Sequence, residues 1–300
     1  MPTEPVSNNP WEWPEPVWRK IARRVSAGRP LVPCGWSGGA PFAVAISFDS
    51  DHETNSLREG GNSINKLSIG EYGARRGIGR IVNILEKANV PASFFVPAVS
   101  ALLHSEQQSL AVLQGHEVGL HGWIHELNTK LPQGAERDLM MRSADVLEKI
   151  TGTRPCGIRT PSWDFSDETL RIAREMGLLY DSSLMADDDC YELLLDGEPT
   201  GVTELPVQWV RDDAVYFGMD RFSGLRPYTA PRSVVDIFLD ELKLACEERG
   251  IFQLTMHPHV IGVRSRIWIL QEIIDRAKEL GGWFATHAQI VEYVKANAKP

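Results

Sequence analysis

Short runs rich in β-branched and aromatic residues alternate along this chain with longer segments of helical period. The first run is FAVAISFD at residues 42–49, and the helical segment IGRIVNILEKAN and a second run, ASFFVP, follow it. The alternation continues to a closing helix at about residues 288–298 and includes seven or eight strands. It predicts a mainly parallel sheet whose outer face is covered by helices. Because no G-x-G-x-x-G motif follows the first strand, we favour a closed or nearly closed α/β barrel over a doubly wound open sheet.

Length and composition suit one large domain. A chain of 300 residues with 43% hydrophobic content can bury a substantial core, and α/β barrels reach this size. Residues 1–39 are rich in Pro and Trp and are predicted to form an N-terminal arm, followed by a single domain over residues 40–300. We expect the arm to pack across a barrel end or a neighbouring subunit, which predicts a homo-oligomer. Residues 54–77 and 210–232 interrupt the alternation and are predicted to be long loops that shape a site.

Charge and targeting signals narrow the possible partners. The net charge of −9 argues against a nucleic-acid groove and against a surface that docks on anionic lipid, because both depend on clustered Lys and Arg. We find no apolar run long enough to span a membrane and no signal-peptide pattern at the start of the sequence. The four cysteines have no C-x-x-C spacing and are expected to be reduced thiols. These features predict a cytoplasmic protein.

Two carboxylates follow the first strand in the segment SFDSDHE. Strand side chains alternate between faces, so Asp49 lies on the face opposite the large residues of the strand, and Asp51 shares that face if the chain stays extended. Two ionised carboxylates at one point repel each other unless a cation lies between them. The pair therefore indicates a cation site. Two solvated acids in a loop, or a helix cap, are the alternative interpretations of the same sequence pattern.

Two histidines occur four residues apart in GHEVGLHGWIHE. His121 ends a predicted strand, and His125 follows beyond Gly122, which weakens a continuous helix. Two imidazoles and one carboxylate can hold a single metal ion and leave coordination positions open.

Two further segments end predicted strands with chemically useful side chains. In LTMHPH, His257 points inward, as a general acid requires. In GIRTPSWDFS, Arg159 could orient a carboxylate through its planar guanidinium, and Pro161 and Trp163 could form a pocket wall.

Together these motifs resemble those of the polysaccharide deacetylase superfamily, the NodB-homology proteins of carbohydrate esterase family 4. The resemblance extends from about residue 43 to residue 294. It covers the Asp pair after a strand, H-x-x-x-H, R-x-P with a following aromatic, and a late histidine. It implies an irregular (β/α) barrel of seven or eight strands.

The resemblance also implies a role for each site residue. Asp51, His121 and His125 would bind one divalent metal ion; zinc suits these ligands, and iron, cobalt, nickel or manganese would accept the same set. Asp49 would be the general base, His257 the general acid, and Arg159 would hold Asp49. Trp163 and Pro161 would contact the substrate, and Asp188 in SLMADDD is a candidate for tuning His257.

One departure from the family pattern affects the expected substrate. Sugar deacetylases of this family carry adjacent aspartates followed by Gly, whereas Ser50 separates the two aspartates here. The spaced pair resembles a cytoplasmic branch that includes peptidoglycan-deacetylase-like proteins, cyclic imide hydrolases and metal-free allantoinases. We therefore expect a metal-dependent hydrolase of non-peptide carbon–nitrogen bonds that acts on a small amide, a cyclic imide or an N-acetylated sugar. The alternatives are a metal-independent, allantoinase-like ureide hydrolase and a non-catalytic binding protein.

Overall fold

The computed structural model describes residues 8–108, 114–219 and 229–298. Ten strands form one sheet among these residues: β1 Val25–Pro30, β2 Ala43–Asp49, β3 Ser93–Val96, β4 Glu117–Leu120, β5 Gly157–Ile158, β6 Tyr180–Asp181, β7 Tyr191–Leu195, β8 Glu198–Glu204, β9 Ile251–Met256 and β10 Trp283–Phe284. The α-helices whose full bounds lie within the described residues are α1 Glu15–Arg23, α2 Thr54–Leu57, α3 Ile64–Tyr72, α4 Ile78–Ala88, α5 Ala98–Leu103, α6 Ala135–Thr151, α7 Thr169–Glu175, α8 Asp213–Phe217, α9 Pro231–Glu248, α10 Pro258–Ile261, α11 Trp268–Glu279 and α12 His287–Asn297.

Seven parallel strands form the barrel wall in the order β9, β2, β3, β4, β5, β6, β8. The segment after β8 closes the ring, because Asp212 makes an isolated parallel bridge to Thr255 of β9. The short β10 also pairs with β2, and β7 and β1 extend the sheet from β8 as antiparallel strands. The predicted α/β barrel is confirmed, and its irregularity lies in the closing segment.

The two faces of β2 carry the residue types that the sequence predicts. Val44, Ile46 and Phe48 belong to the large apolar cluster between the barrel and the outer helices. Ala43 and Ala45 face the barrel interior, where small side chains leave room for Phe95. Because side chains alternate along the strand, the interior face continues to Ser47 and Asp49, at the end where the site is built.

The N-terminal segment packs against the barrel and also contributes to its sheet. β1 pairs with β7, whereas α1 has no buried residue. Trp36 is buried, lies 6.2 Å from Trp283 and 6.0 Å from Tyr293 between ring centroids, and donates a hydrogen bond to the Arg249 carbonyl. Trp36 therefore covers one end of the barrel. The boundary at residue 39 and the homo-oligomer stay predictions.

The prediction of a long loop at residues 54–77 is wrong, because this segment is largely helical. It contains α2, α3 and a π-helical turn at Gly73–Gly77. A Cβ atom at Gly77 would lie 2.1 Å from the Pro258 carbonyl oxygen, and one at Gly73 would lie 2.9 Å from the His259 backbone nitrogen. These glycines therefore allow close packing against α10, which the sequence alone does not distinguish from loop composition.

The second predicted loop, residues 210–232, is only partly described. A 3-10 turn at Trp209–Arg211 leads into α8, and α9 begins at Pro231. Residues 220–228 of that prediction lie outside the described residues. Across the described ranges, none of the helices combines the length and apolar content that crossing a bilayer requires.

Candidate metal centre

Asp51 is positioned by the chain that follows β2. Its carbonyl oxygen accepts hydrogen bonds from the Thr54 hydroxyl at 2.6 Å and the Ser100 hydroxyl at 2.5 Å. Its side-chain Oδ2 accepts a hydrogen bond from Asn55 Nδ2 at 3.0 Å. These contacts fix the backbone and one carboxylate oxygen, so that Oδ1 is available to a different partner.

Asp51, His121 and His125 converge as the sequence predicts. Asp51 Oδ1 lies 3.4 Å from His121 Nε2 and 3.5 Å from His125 Nε2. All three side chains are buried, and one ligand atom from each lies within 4.8 Å of the others. Asp51 Oδ1 and His121 Nε2 have no hydrogen-bond partner among the described residues. Buried polar atoms are normally paired, so these two fit a bound cation.

The tautomer of His121 suits a metal ligand. Its Nδ1 lies 2.7 Å from the Arg159 carbonyl oxygen, which can only accept, so Nδ1 carries the proton. Burial opposes protonation of His121, but Asp49 and Asp51 raise its pKa, so Nε2 offers a lone pair toward Asp51 Oδ1 once the ring is neutral. A backbone carbonyl that orients a ligand histidine in this way is a common feature of metal sites. A divalent cation such as zinc fits the set of two imidazoles and one carboxylate.

A tight turn brings His125 back toward His121. Gly122 has φ 73°, in the left-handed region, and His125 follows at φ 64°. The carboxylate of Glu126 accepts the backbone N–H groups of Trp123, at 2.9 Å, and Ile124, at 2.7 Å. Gly122 and Glu126 therefore shape the loop that brings the two histidines of the H-x-x-x-H motif close together.

The electrostatics of the three ligands depend on their mutual contacts. Burial disfavours a charged Asp51, but His125, His121 and His257 outweigh it and hold the pKa of Asp51 well below its usual value. Burial lowers the pKa of His125 to about 3, so this imidazole is neutral. An ionised carboxylate and a neutral imidazole are the forms that bind metal.

Asp49 is held by Arg159 on one side of the ligand set. Arg159 Nη1 donates to Asp49 Oδ1 at 2.7 Å and to Ser47 Oγ at 2.8 Å. The other carboxylate oxygen of Asp49 lies 3.9 Å from His121 Nε2. Arg159 and Asp49 are both buried. The structure therefore brings the predicted base and its predicted arginine next to the ligand set.

His257 lies next to Asp51 and is held by Asp213. His257 Nδ1 is 2.7 Å from Asp213 Oδ1, and His257 Nε2 is 3.9 Å from Asp51 Oδ2. Burial opposes protonation, but Asp212, Asp213 and Asp51 together raise the pKa of His257 well above its usual value. This histidine is therefore a proton donor whose Nε2 faces the site.

The residue predicted to tune His257 is not the one that does so. Asp188 is exposed, and its backbone N–H donates to Asp187. The tuning contact comes from Asp213, because the bridge between Asp212 and Thr255 places α8 beside the end of β9. The prediction for Asp188 is corrected accordingly.

An aromatic pair borders the candidate site. Trp163 and Pro161 are buried, and Ser162 between them has φ 55°. The Trp163 ring lies 4.0 Å from the ring of Trp209 between centroids, and Trp209 is 47% exposed. Trp209 therefore presents the accessible aromatic surface, which the sequence analysis assigned to Trp163. Direct substrate contact by Pro161 and Trp163 stays a prediction.

The sequence analysis assigned no role to several residues that the structure joins to the site. They are Ser47, Arg58, Ser182, Trp209, Asp213 and His287. Only Ser47 had a usable signal, because strand alternation places it on the face of Asp49.

Comparisons with known proteins give one matching family and several relatives. The model of the polysaccharide deacetylase family matches residues 71–180. The chain is 26% identical over 286 residues to the peptidoglycan deacetylase of Helicobacter pylori, covering 85% of this chain and 97% of that protein.

Two solved structures resemble the whole barrel. A candidate polysaccharide deacetylase from Mycobacterium smegmatis is 33% identical, with a TM-score of 0.83 and coverage of 91% of this chain and 96% of that one. The Puue allantoinase is 23% identical with a TM-score of 0.76, covering 90% of this chain and 95% of that one. At that identity the allantoinase shows a shared fold.

Proposed function

This chain belongs to the polysaccharide deacetylase family, and we propose that it is a metal-dependent hydrolase of carbon–nitrogen bonds outside peptides. One observation carries the proposal. Two buried, unpartnered ligand atoms, Asp51 Oδ1 and His121 Nε2, lie 3.4 Å apart with His125 beside them. A carboxylate held by arginine and an imidazole held by aspartate both border this centre.

Asp51, His121 and His125 would hold the metal, and zinc is our proposed ion. When bound, such an ion acidifies water and polarises the carbonyl group of the substrate. The allantoinase-like alternative needs no metal, and the complete ligand set argues against it. The two buried atoms without partners would be costly if nothing bound them.

Asp49 would take a proton from the attacking water. Its Oδ1 is held by Arg159, so Oδ2 faces His121 and the candidate metal position. As a C–O bond forms to the substrate carbonyl carbon, a base at this position accepts the proton that the water loses. Arg159 holds the carboxylate at a fixed angle through this reaction.

His257 would protonate the leaving nitrogen as the C–N bond breaks. Its Nδ1 is bound to Asp213, so the transferable proton is on Nε2. The raised pKa keeps this proton in place at neutral pH. Base and acid would therefore both lie next to the ligand set, where amide cleavage needs one group to take a proton and another to give one.

The substrate would be an N-acetylated sugar, a small amide or a cyclic imide. Similarity to the H. pylori peptidoglycan deacetylase supports the sugar. The spaced aspartates of the sequence support the imide. The exposed ring of Trp209 offers a flat surface on which either a sugar ring or an imide ring can stack.

The test combines metal analysis with a substrate panel. The purified protein is assayed for metal by mass spectrometry and for hydrolysis of chitooligosaccharides and succinimide before chelation, after chelation and after return of zinc. We expect one metal per chain and turnover that chelation abolishes and zinc restores. Turnover that survives chelation would support the allantoinase-like alternative, and bound metal without turnover would support a binding protein.

Three variants separate the proposed roles. Asp51→Asn is expected to lose both metal and turnover. Asp49→Asn is expected to keep the metal while kcat falls by about 10²–10⁴-fold, the usual effect of losing a general base. Asp188→Asn is the matched control, because this aspartate is exposed and should affect neither property.

A further inference from the structure

Each of the five N–H groups of Arg159 has an acceptor inside the barrel. Nη1 donates to Ser47 and Asp49, while Nε donates to the Ser182 carbonyl at 2.9 Å. Nη2 donates to the Ser182 hydroxyl at 2.9 Å and to His287 Nε2 at 3.2 Å. A guanidinium group has five donors and no acceptor, so this arrangement is complete. Its plane is therefore fixed on every edge.

The face of the guanidinium group is covered as well. Arg159 Cζ lies 4.1 Å from the centroid of the Phe95 ring, and this ring meets the His287 ring edge-on with centroids 5.3 Å apart. Arg159, Phe95 and His287 are fully buried. Water therefore cannot reach the guanidinium group to replace a hydrogen-bond acceptor that is lost.

The chemistry of Arg159 fixes the tautomer of His287. Because the guanidinium group can only donate, His287 Nε2 must be the acceptor, and the proton must lie on Nδ1. Nδ1 is 3.1 Å from Ser93 Oγ, to which it donates. The Ser93 hydroxyl donates in turn to Glu117 Oε2 at 2.7 Å. The donor and the acceptor of each hydrogen bond from Arg159 through His287 and Ser93 to Glu117 are thus determined.

His287 is neutral and rigidly positioned. Burial and the adjacent Arg159 charge lower the pKa of His287 well below its usual value. The residue begins α12, where Thr286 and Gln289 form a capping box. The first backbone N–H groups of the helix donate to Ser93 Oγ at 2.9 Å and to Glu117 Oε2 at 3.1 Å. The C-terminal helix therefore holds this imidazole against Arg159.

We propose that His287 is a positioning residue for the reaction, acting through Arg159 to set the angle of the Asp49 carboxylate. The inference rests on the proposed function, in which Asp49 is the base. Without the Nε2 acceptor, one buried N–H of Arg159 loses its partner, and the guanidinium group can turn away from Asp49. The proposal assigns a role in the site to the final helix of the chain.

Two substitutions at position 287 test the role. His287→Leu removes the acceptor, whereas His287→Gln places an amide oxygen near the position of Nε2. For His287→Leu we expect kcat to fall by about 10–100-fold, as for the loss of other residues that orient a reactive group, while KM and metal content stay the same. His287→Gln should recover most of the loss. Equal kcat in all three proteins would overturn the proposal.

His116 provides a matched control. It is another buried histidine, and its Nδ1 accepts the Ala92 backbone N–H away from the ligand set. His116→Leu should lower the thermal midpoint and leave kcat unchanged. If His287→Leu behaves as His116→Leu does, the role of His287 is structural only, and the proposal is wrong.

A spectroscopic measurement separates this proposal from the proposed function. In the ¹⁵N-labelled wild-type protein, His287 should give the signals of a neutral ring protonated on Nδ1, and Arg159 should show slow guanidinium rotation. His287→Leu should make that rotation faster even if no substrate is turned over. A protonated or Nε2–H ring in the wild type, or unchanged rotation in the variant, would overturn the proposal independently of activity.

Discussion

At the scale of single residues, the three carboxylates around His257 control when the proposed acid can act. Asp213 accepts from Nδ1 at 2.7 Å, Asp212 lies 3.8 Å from the same atom, and Asp51 lies near Nε2. A general acid works only while it is protonated, so a raised pKa extends activity toward higher pH. These three carboxylates therefore determine the pH at which activity is lost on the basic side of the pH–rate profile.

Asp213→Asn should move the basic limb of kcat/KM to lower pH. The substitution removes one negative charge next to His257, so the pKa of His257 falls and its proton is lost earlier as pH rises. The measurement is a pH–rate profile of the metal-loaded enzyme. The exposed Asp188→Asn serves as the control and should leave the limb in place. An unmoved limb in Asp213→Asn would show that His257 is not the titrating acid.

Arg58 makes a second residue-level contact with a measurable consequence. Its Nη1 lies 2.9 Å from His125 Nδ1 and also donates to Ser162 Oγ at 2.8 Å. Because arginine only donates, Nδ1 of His125 accepts, which puts the proton of a neutral ring on Nε2. A metal bound at Nε2 requires the opposite tautomer. Metal binding and this hydrogen bond therefore compete.

Arg58→Met should bind the metal more tightly than the wild type. The variant loses both the competing hydrogen bond and a positive charge near the cation, and we expect a gain of about tenfold, on the order of one hydrogen bond to a charged group. Competition with a chromophoric chelator measures the affinity. Arg75→Met, which removes an exposed arginine paired with Glu71, is the control. Weaker binding in Arg58→Met would mean that Arg58 orders the site more than it competes.

The residues that could be predicted share one property. Asp49, His121, Arg159 and His257 lie at or just after the ends of parallel strands, where alternation determines the direction of a side chain. Asp213 could not be chosen over Asp188, because both are acids between strands. Only the bridge from Asp212 to Thr255 decides which of them meets His257.

At the scale of elements, the helical segment after β2 shows why glycine content misleads. Gly70, Gly73 and Gly77 lie in or next to helices, and their missing side chains allow contact with neighbouring backbone. Sequence reasoning reads glycine as a turn residue because its backbone tolerates turn geometry. The packing partner of Gly73 and Gly77, α10, is about 180 residues further along the chain, whereas Gly70 approaches the backbone of His52 and Glu53. No local pattern contains that information.

Gly77→Ala should therefore be destabilising. The new Cβ would lie 2.1 Å from the Pro258 carbonyl oxygen, so α10 must shift, at a cost of about 1–3 kcal/mol, as in other overpacked sites. Urea unfolding measures the change. Gly79→Ala is the matched control, because its Cβ meets nothing within 4 Å and alanine favours the helix. If both variants have the same stability, the close approach at Gly77 is not a constraint.

At the scale of the whole molecule, the barrel interior holds a group of buried polar side chains. The alternation of strands and helices in the sequence does not predict them. Near Arg159, Asp181 of β6 and Glu204 of β8 occupy paired positions on neighbouring strands. Ser183 and Leu184 donate backbone N–H groups to Glu204 Oε1, and Ser183 also donates to Asp181. The overall fold was predictable, but a buried carboxyl pair was not, because it depends on which strands become neighbours.

This carboxyl pair should make stability fall as pH rises. Burial raises the pKa of Asp181 to about 6, and burial together with Asp181 raises that of Glu204 well above its usual value. The native state thus favours the protonated forms. Their contribution is fully present below the unfolded pKa of about 4 and is lost as pH rises through about 6 and above.

Glu204→Gln isolates that contribution. The amide keeps an acceptor for the two backbone N–H groups and replaces the titrating proton with a permanent donor to Asp181. We expect the free energy of unfolding of the variant to gain on that of the wild type between pH 4.5 and pH 7.5, because only the wild type loses the contribution of the Glu204 proton over this range. Urea denaturation at the two pH values measures this difference, with the exposed Glu59→Gln as the control. A variant whose stability follows the wild type across that range would show that Glu204 does not cause this pH dependence.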